Sequence, residues 1–285
     1  MKLSILLQYL LPNQAITALA GILANKQCGI LTTKVIAWFV KRYGVNMLEA
    51  ANPDISSYKS FNDFFTRPLK AGARPLAEAE FICPVDGAIS QFGAIEKDQI
   101  FQAKGHHYST LALVAGQQDL ASKFENGHFA CLYLSPKDYH RIHMPCDGTL
   151  KSMAYVPGDL FSVNPTTAAN VPNLFARNER VVCEFESEKH GTFVMVLVGA
   201  TIVGSMATVW HDSPNRIINP PRSKNIRTWS YENIQLNQGD EMGRFLLGST
   251  VVMLFEKDAL QFNVDWQATK SIKLGEIMGV GRSGL

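Results

Sequence analysis

Charge is missing from the beginning of this chain: no Asp, Glu, Lys or Arg lies between Lys2 and Lys26. A stretch of that length raises the question of a membrane span. Gln8 and the Pro12-Asn13-Gln14 step interrupt it near the middle. A proline and two amides would leave polar groups in hydrocarbon, so a straight span is disfavoured. Cysteine is sparse as well. Cys28, Cys83, Cys131, Cys146 and Cys183 are odd in number and scattered, with no C-x-x-C pair. That argues against a disulfide framework or a zinc ribbon and for a reducing compartment, with all five read as packing residues. Repeats and low-complexity segments are absent. A net charge of only +2 is too small to suggest a nucleic-acid partner, and it is weakly compatible with an anionic membrane surface.

What is present is a folded globular composition, 46% apolar and 18% charged over 285 residues. Three readings fit the N-terminal stretch. One is a secretory signal, with Lys2, an apolar run over residues 3–11 and a cleavage-like Ala18-Leu19-Ala20. Another is a set of short helices lying in a membrane interface, and the third is a helical hairpin packed on the core. In the helical readings Pro12 opens the second helix. Thr32 or Thr33 caps a third ending at Gly44, with Val35, Trp38 and Phe39 apolar and Lys34, Lys41 and Arg42 near headgroups.

A break falls near Asn52-Pro53-Asp54. Beyond it, β-prone runs punctuated by Gly and Pro cover residues 88–92, 129–134, 181–185, 192–198 and 250–255. The chain 273–279 has the look of strand, glycine turn and strand. The expected fold class is α+β: a helical region over residues 1–54, then a mostly β catalytic domain over 55–285.

Three segments concentrate reactive side chains. In Pro84-Val85-Asp86-Gly87, Asp86 stands in a turn beside a strand and reads either as an Asx-turn residue or as a working carboxylate. In residues 135–145, Ser135, Pro136 and Asp138 would begin a short helical turn. His140 and His143 share a face if that turn continues and point oppositely if it gives way to strand. A histidine pair suits acid–base work. Zinc is disfavoured because His128, His190 and His211 are isolated. In residues 243–251, a Gly248-Ser249 step interrupts a strand-like apolar run. It reads as a β-bulge, or as an open carbonyl that the following hydroxyl can attack. Such a hydroxyl needs a base, and a histidine oriented by a carboxylate is the usual one, so Asp86, His143 and Ser249 are candidates for a triad.

At these residues the sequence resembles the phosphatidylserine decarboxylases of the bacterial type. The resemblance is carried by SFNDFFTRPLK (60–70), PVDG (84–87), QAKGHHYS (102–109), DYHRIHMP (138–145), LFSVNP (160–165), NLFARNERVV (173–182), NPPR (219–222) and EMGRFLLGST (241–250), in the family's order. It implies a proenzyme that cuts itself between Gly248 and Ser249 into a β chain, residues 1–248, and an α chain, residues 249–285. These remain together as a heterodimer, open to assembly into a higher oligomer. It assigns Asp86, His143 and Ser249 to the cleavage triad, with His143 as base and Asp86 orienting it, and it assigns His140 to decarboxylation as proton donor. It implies that Ser249 becomes a covalent pyruvoyl group, which forms a Schiff base with the amine of phosphatidylserine, with no metal and no pyridoxal phosphate. The product is phosphatidylethanolamine. The implied place is the cytoplasmic side of the inner membrane, held peripherally, which favours the interfacial reading of the N-terminus. The rival is a serine hydrolase using the same three residues without self-cleavage.

Overall fold

A computed structural model describes residues 3–201, 206–211, 225–246 and 250–281. Three helices lead: α1 (Leu3–Leu10), α2 (Asn13–Asn25) and α3 (Ile30–Tyr43). Pro12 stands immediately before α2, as its missing N–H allows. α3 begins earlier than a Thr32 or Thr33 cap would allow. Gly29, at φ 53°, turns the chain, and the Thr32 hydroxyl accepts the Cys28 N–H at 3.0 Å from inside the first turn. The end is the expected one, with Gly44 left-handed at φ 69° and its N–H on the Val40 carbonyl. A short helix, α4 (Phe61–Phe65), follows, capped by the Ser60 hydroxyl.

These helices are not free of the body. Ile5 of α1 is fully buried, Gln8 accepts the Ser162 N–H at 2.8 Å, and Tyr9 meets Phe161 edge-on at 4.8 Å. Ile36 of α3 packs in a cluster with Val45, Tyr58, Phe64 and Phe65. The outer faces are different: Leu10, Leu19, Ile22, Ile30 and Trp38 are all exposed.

The body is built on an eight-stranded sheet. In spatial order its strands are Arg227–Leu236, Gly148–Val156, Arg180–Ser187, Gly191–Val198, Thr250–Phe255, His128–Tyr133, Gly87–Ala94 and Ser271–Ile272, each antiparallel to its neighbours. All five expected runs lie in or across these strands. The central strands read as continuous apolar runs because both faces are covered. In Thr250–Phe255, Val251, Met253 and Phe255 enter one core, and Val252 and Leu254 enter the other. The first core is closed by two three-stranded sheets. One is ordered Phe81–Ile82, Ile277–Gly281, Leu260–Phe262, and the other Met206–Thr208, Glu241–Phe245, Arg141–His143. The second core is closed by short helices, among them Thr110–Leu113 and Leu174–Arg177, together with α1. The architecture is α+β with a mostly β body.

Three expectations change. The segment after Ser135 forms no helix: Asp138 turns its carboxylate back onto the Ser135 N–H and hydroxyl, both at 2.7 Å, and the chain enters strand at Arg141. The run from Gly243 to Val251 is not one strand. Glu241–Phe245 belongs to a small sheet and Thr250–Phe255 to the large one, because hydrophobicity marks burial and not which sheet is joined. Cys28 is exposed, unlike the four buried cysteines, since it lies in the connection before α3.

Candidate active site

Asp86 closes the turn that leads into Gly87–Ala94. A side chain at Gly87 would meet the Tyr133 carbonyl oxygen within 2.3 Å, so glycine is what lets this turn lie against the neighbouring strand. The Asp86 carboxylate is held on two sides. Arg74 reaches it through Nε at 2.9 and 3.1 Å and through Nη2 at 2.5 Å, and the Leu274 N–H donates to it at 2.9 Å. The same Arg74 Nη2 also grips Glu49, just beyond α3.

His143 ends the strand Arg141–His143, and its backbone N–H bonds the Pro84 carbonyl at 2.9 Å, which draws the Asp86 turn and this strand together. Its ring is engaged at both nitrogens. Nδ1 is 2.8 Å from the Gly239 carbonyl oxygen and Nε2 is 3.1 Å from the Tyr139 hydroxyl. A carbonyl only accepts, so Nδ1 carries the proton and Nε2 presents a lone pair to the Tyr139 O–H. Burial holds His143 below the ordinary imidazole range, against the opposing Gly239 bond. Asp86 acts on the ring through space, while the orienting hydrogen bond comes from Gly239.

His140 is fully buried. Its Nδ1 donates to the Asp138 carbonyl at 2.8 Å, and its ring lies 4.0 Å from that of Phe65. Among the described residues its Nε2 has no partner. Burial pushes its pKa down to about 3, the Asp138 carbonyl opposing and Arg67 adding to the fall. At neutral pH both histidines are therefore uncharged. Their side chains have separate partners, as strand geometry from Arg141 onward requires.

Gly248 and Ser249 lie outside the described residues. Their flanks are fixed from two directions. The Phe245 N–H bonds the His140 carbonyl at 3.0 Å, and Thr250 is paired to both Tyr133 and Val198. The Thr250 hydroxyl is buried without a partner among the described residues, as is His140 Nε2. Below, Glu241 stands opposite His143 in the small sheet and joins Arg141 at 2.7 Å and Arg244 at 3.2 Å. Among the described residues no group of three His, Cys, Asp or Glu side chains is placed to hold a metal.

The structure thus brings Asp86, His140 and His143 to one region beside the residues flanking Gly248-Ser249. Sequence reasoning missed Arg74, Tyr139 and Gly239. Tyr139 lies within the DYHRIHMP segment, but Arg74 and Gly239 carry no local signal, since their partners are distant in sequence.

Comparison with known proteins covers most of the chain. The profile of the family described as phosphatidylserine decarboxylase matches residues 61–280, and a second, described only as PSD, matches residues 3–44. A protein of Dechloromonas aromatica named phosphatidylserine decarboxylase proenzyme is 69% identical over 280 residues, covering 98% of both chains. Proteins with the same name from Azoarcus sp. and Methylobacillus flagellatus are each 67% identical, covering 98% and 96% of this chain and 96% and 98% of their own. On that likeness, which runs through the helices, the Asp86 turn, the histidine strand and the sheet, the chain belongs to the phosphatidylserine decarboxylase family.

Proposed function

We propose that this protein is a carboxy-lyase that converts phosphatidylserine to phosphatidylethanolamine and carbon dioxide, after cutting itself between Gly248 and Ser249. The observation that carries the reading is family membership over nearly the whole chain. The switch of sheets between Phe245 and Thr250 supports it, since the strands that flank the proposed cleavage segment belong to different sheets.

In self-cleavage the Ser249 oxygen attacks the Gly248 carbonyl carbon. The hydroxyl proton passes to a base, and the Gly248–Ser249 C–N bond breaks as its nitrogen is protonated. His143 suits the base because it is neutral, with Nδ1–H held by Gly239 and the lone pair on Nε2. The Tyr139 hydroxyl occupies that lone pair, so it either rotates away or relays the proton. Loss of the residue-249 α-proton then expels the Gly248 carboxylate, and hydrolysis with release of ammonia leaves a pyruvoyl group at position 249.

The surroundings fit such a group: among the described residues His140 Nε2 and the Thr250 hydroxyl are buried polar atoms without partners, on residues that adjoin the flanks of the segment. The pyruvoyl carbonyl supplies the electron sink that decarboxylation of an amino acid head requires. His140, being neutral, cannot donate at first. Its Nε2 takes the proton that the substrate ammonium sheds and returns it to the α-carbon once carbon dioxide has left.

Residues 1–54 serve as the membrane-associating region and 55–285 as the catalytic body. No described helix is long and apolar enough to cross a membrane. The exposed apolar faces of α1, α2 and α3 suit interfacial binding on the cytoplasmic side of the inner membrane. The strand Thr250–Phe255, set between two partners, would keep the α chain bound after cleavage as part of an αβ unit.

Intact-mass analysis of the purified protein tests the reading. Two fragments are expected, the smaller with a blocked N-terminus. One continuous chain with an ordinary serine and full decarboxylase activity would overturn the self-cleavage mechanism. One continuous chain without that activity, labelled at Ser249 by a serine-directed phosphonate, would favour the hydrolase alternative.

A further inference from the structure

Arg67 is 3% exposed, and among the described residues no ion pair includes it. Among the described residues its Nε is buried without a partner, one Nη donates to the Lys137 carbonyl at 3.3 Å, and its guanidinium carbon lies 5.3 Å from the Phe64 ring centre. The carboxylates whose fields reach it are already engaged: Asp86 and Glu49 by Arg74, and Asp138 by Ser135. A buried, unmatched guanidinium costs stability, and a residue kept in that state has a use for the charge.

Its place suggests the use. Arg67 follows α4, in the SFNDFFTRPLK segment that the cleavage chemistry leaves unexplained. On one side Phe65 lies against the His140 ring. On the other, Phe64 and Phe65 meet Phe39 of α3 at 5.9 and 6.1 Å, on the helix that exposes Trp38 and Leu31. A lipid whose acyl chains lie along the N-terminal helices, with its amine at His140, would bring its headgroup anion to Arg67.

Resting on the function proposed above, we infer that Arg67 binds the phosphodiester of the lipid headgroup. The substrate carboxylate is the other anion, and chemistry disfavours it. Its charge leaves as carbon dioxide forms, so a cation fixed on it would stabilise the ground state more than the transition state. The phosphodiester keeps its charge from substrate to product.

The test compares the full-length protein with Arg67→Met and Arg67→Lys. One probe is sn-glycero-3-phosphoethanolamine, which has the phosphodiester and amine but no carboxylate. The other is serine, which has the carboxylate and amine but no phosphate. Binding is read by calorimetry at fixed ionic strength, and inhibition of carbon dioxide release is read alongside. Glycerophosphoethanolamine is expected to bind the unsubstituted protein. Arg67→Met should weaken it by at least about tenfold, and Arg67→Lys, which keeps the charge without the fork, should weaken it less. Serine binding should not change. KM for phosphatidylserine should rise in Arg67→Met with kcat nearly retained. The melting temperature should hold or rise, since an unpaired buried cation becomes an apolar chain of similar size.

Equal binding of glycerophosphoethanolamine by all three proteins, or none by any, overturns the assignment. So does a loss confined to serine, which would place the carboxylate at Arg67. Failure of both variants to fold would make Arg67 structural and overturn it too. Calorimetry needs no turnover. An unsubstituted protein that binds glycerophosphoethanolamine but releases no carbon dioxide would therefore sink the proposed activity and leave the Arg67 assignment to stand or fall on the titrations.

Discussion

The N-terminal helices and the surroundings of His140 break the ordinary rule of burial in opposite senses. Of the twenty large apolar side chains exposed among the described residues, fourteen lie between Leu6 and Leu48, where water meets Leu10, Ile30, Trp38 and Leu48. Elsewhere the molecule does the reverse and buries His140, Arg67 and Thr250 with polar atoms that have no partner among the described residues. Each violation alone is a liability. Their adjacency teaches more, because one molecule with an apolar tail and a polar head satisfies both. The outer faces of the helices suit acyl chains, and the unpartnered atoms suit a charged headgroup.

The sharpest way to break this comparison is to remove the chemistry from the polar side alone. Ser249→Ala should give an uncut chain with no decarboxylation, read on a denaturing gel and by carbon dioxide release, while membrane binding is kept. The two histidines should then divide. His143→Ala should block maturation, whereas His140→Ala should be cut normally yet lose at least about a hundredfold in turnover, the scale of a lost acid–base group. Equal maturation of both variants would end that division of roles.

Breaking the apolar side should leave chemistry intact. Replacing Leu10, Ile30, Trp38 and Leu48 together by Ser should lower partition onto anionic vesicles by at least about a hundredfold, because each loses an apolar anchor. Activity on a soluble short-chain phosphatidylserine should survive.

Smaller effects sharpen the polar side. The ring of His140 is depressed from 6.5 to about 3 by burial, so the unfolded chain binds its proton first as pH falls. Stability should fall between about pH 6.5 and pH 3, by about 1.4 kcal/mol per pH unit at most from this group. Urea unfolding at pH 7 and pH 5 should show that loss, and His140→Gln should lack it. Least of all, Thr250→Val should leave the uncut protein as stable or about 1 kcal/mol more so, since the hydroxyl it removes is buried without a partner among the described residues. A clear loss of melting temperature would mean that hydroxyl has structural work to do.

Much of the fold was legible because sheet strands covered on both faces must be apolar throughout, and Gly or turn residues mark their ends. Thr250–Phe255 was read to the residue for that reason. The crossing from one sheet to another between Phe245 and Thr250 was not, because apolar texture is the same in either sheet. The start of α3 was missed because a glycine, not a hydroxyl cap, turns the chain there. At the site, Asp86, His140 and His143 could be singled out by residue type and by neighbours in sequence. What orients them could not. Asp86 is met by an N–H 188 positions away, His143 by a carbonyl 96 positions away, and neither contact leaves a local mark.

The position of Thr250–Phe255 has one more consequence. A strand flanked on both sides cannot peel from an edge, so releasing the short chain means parting two ladders and both cores at once. Maturation would then be a one-way change in covalent structure with almost no change in shape. Isotopically labelled and unlabelled molecules mixed after cleavage should never trade their small fragments.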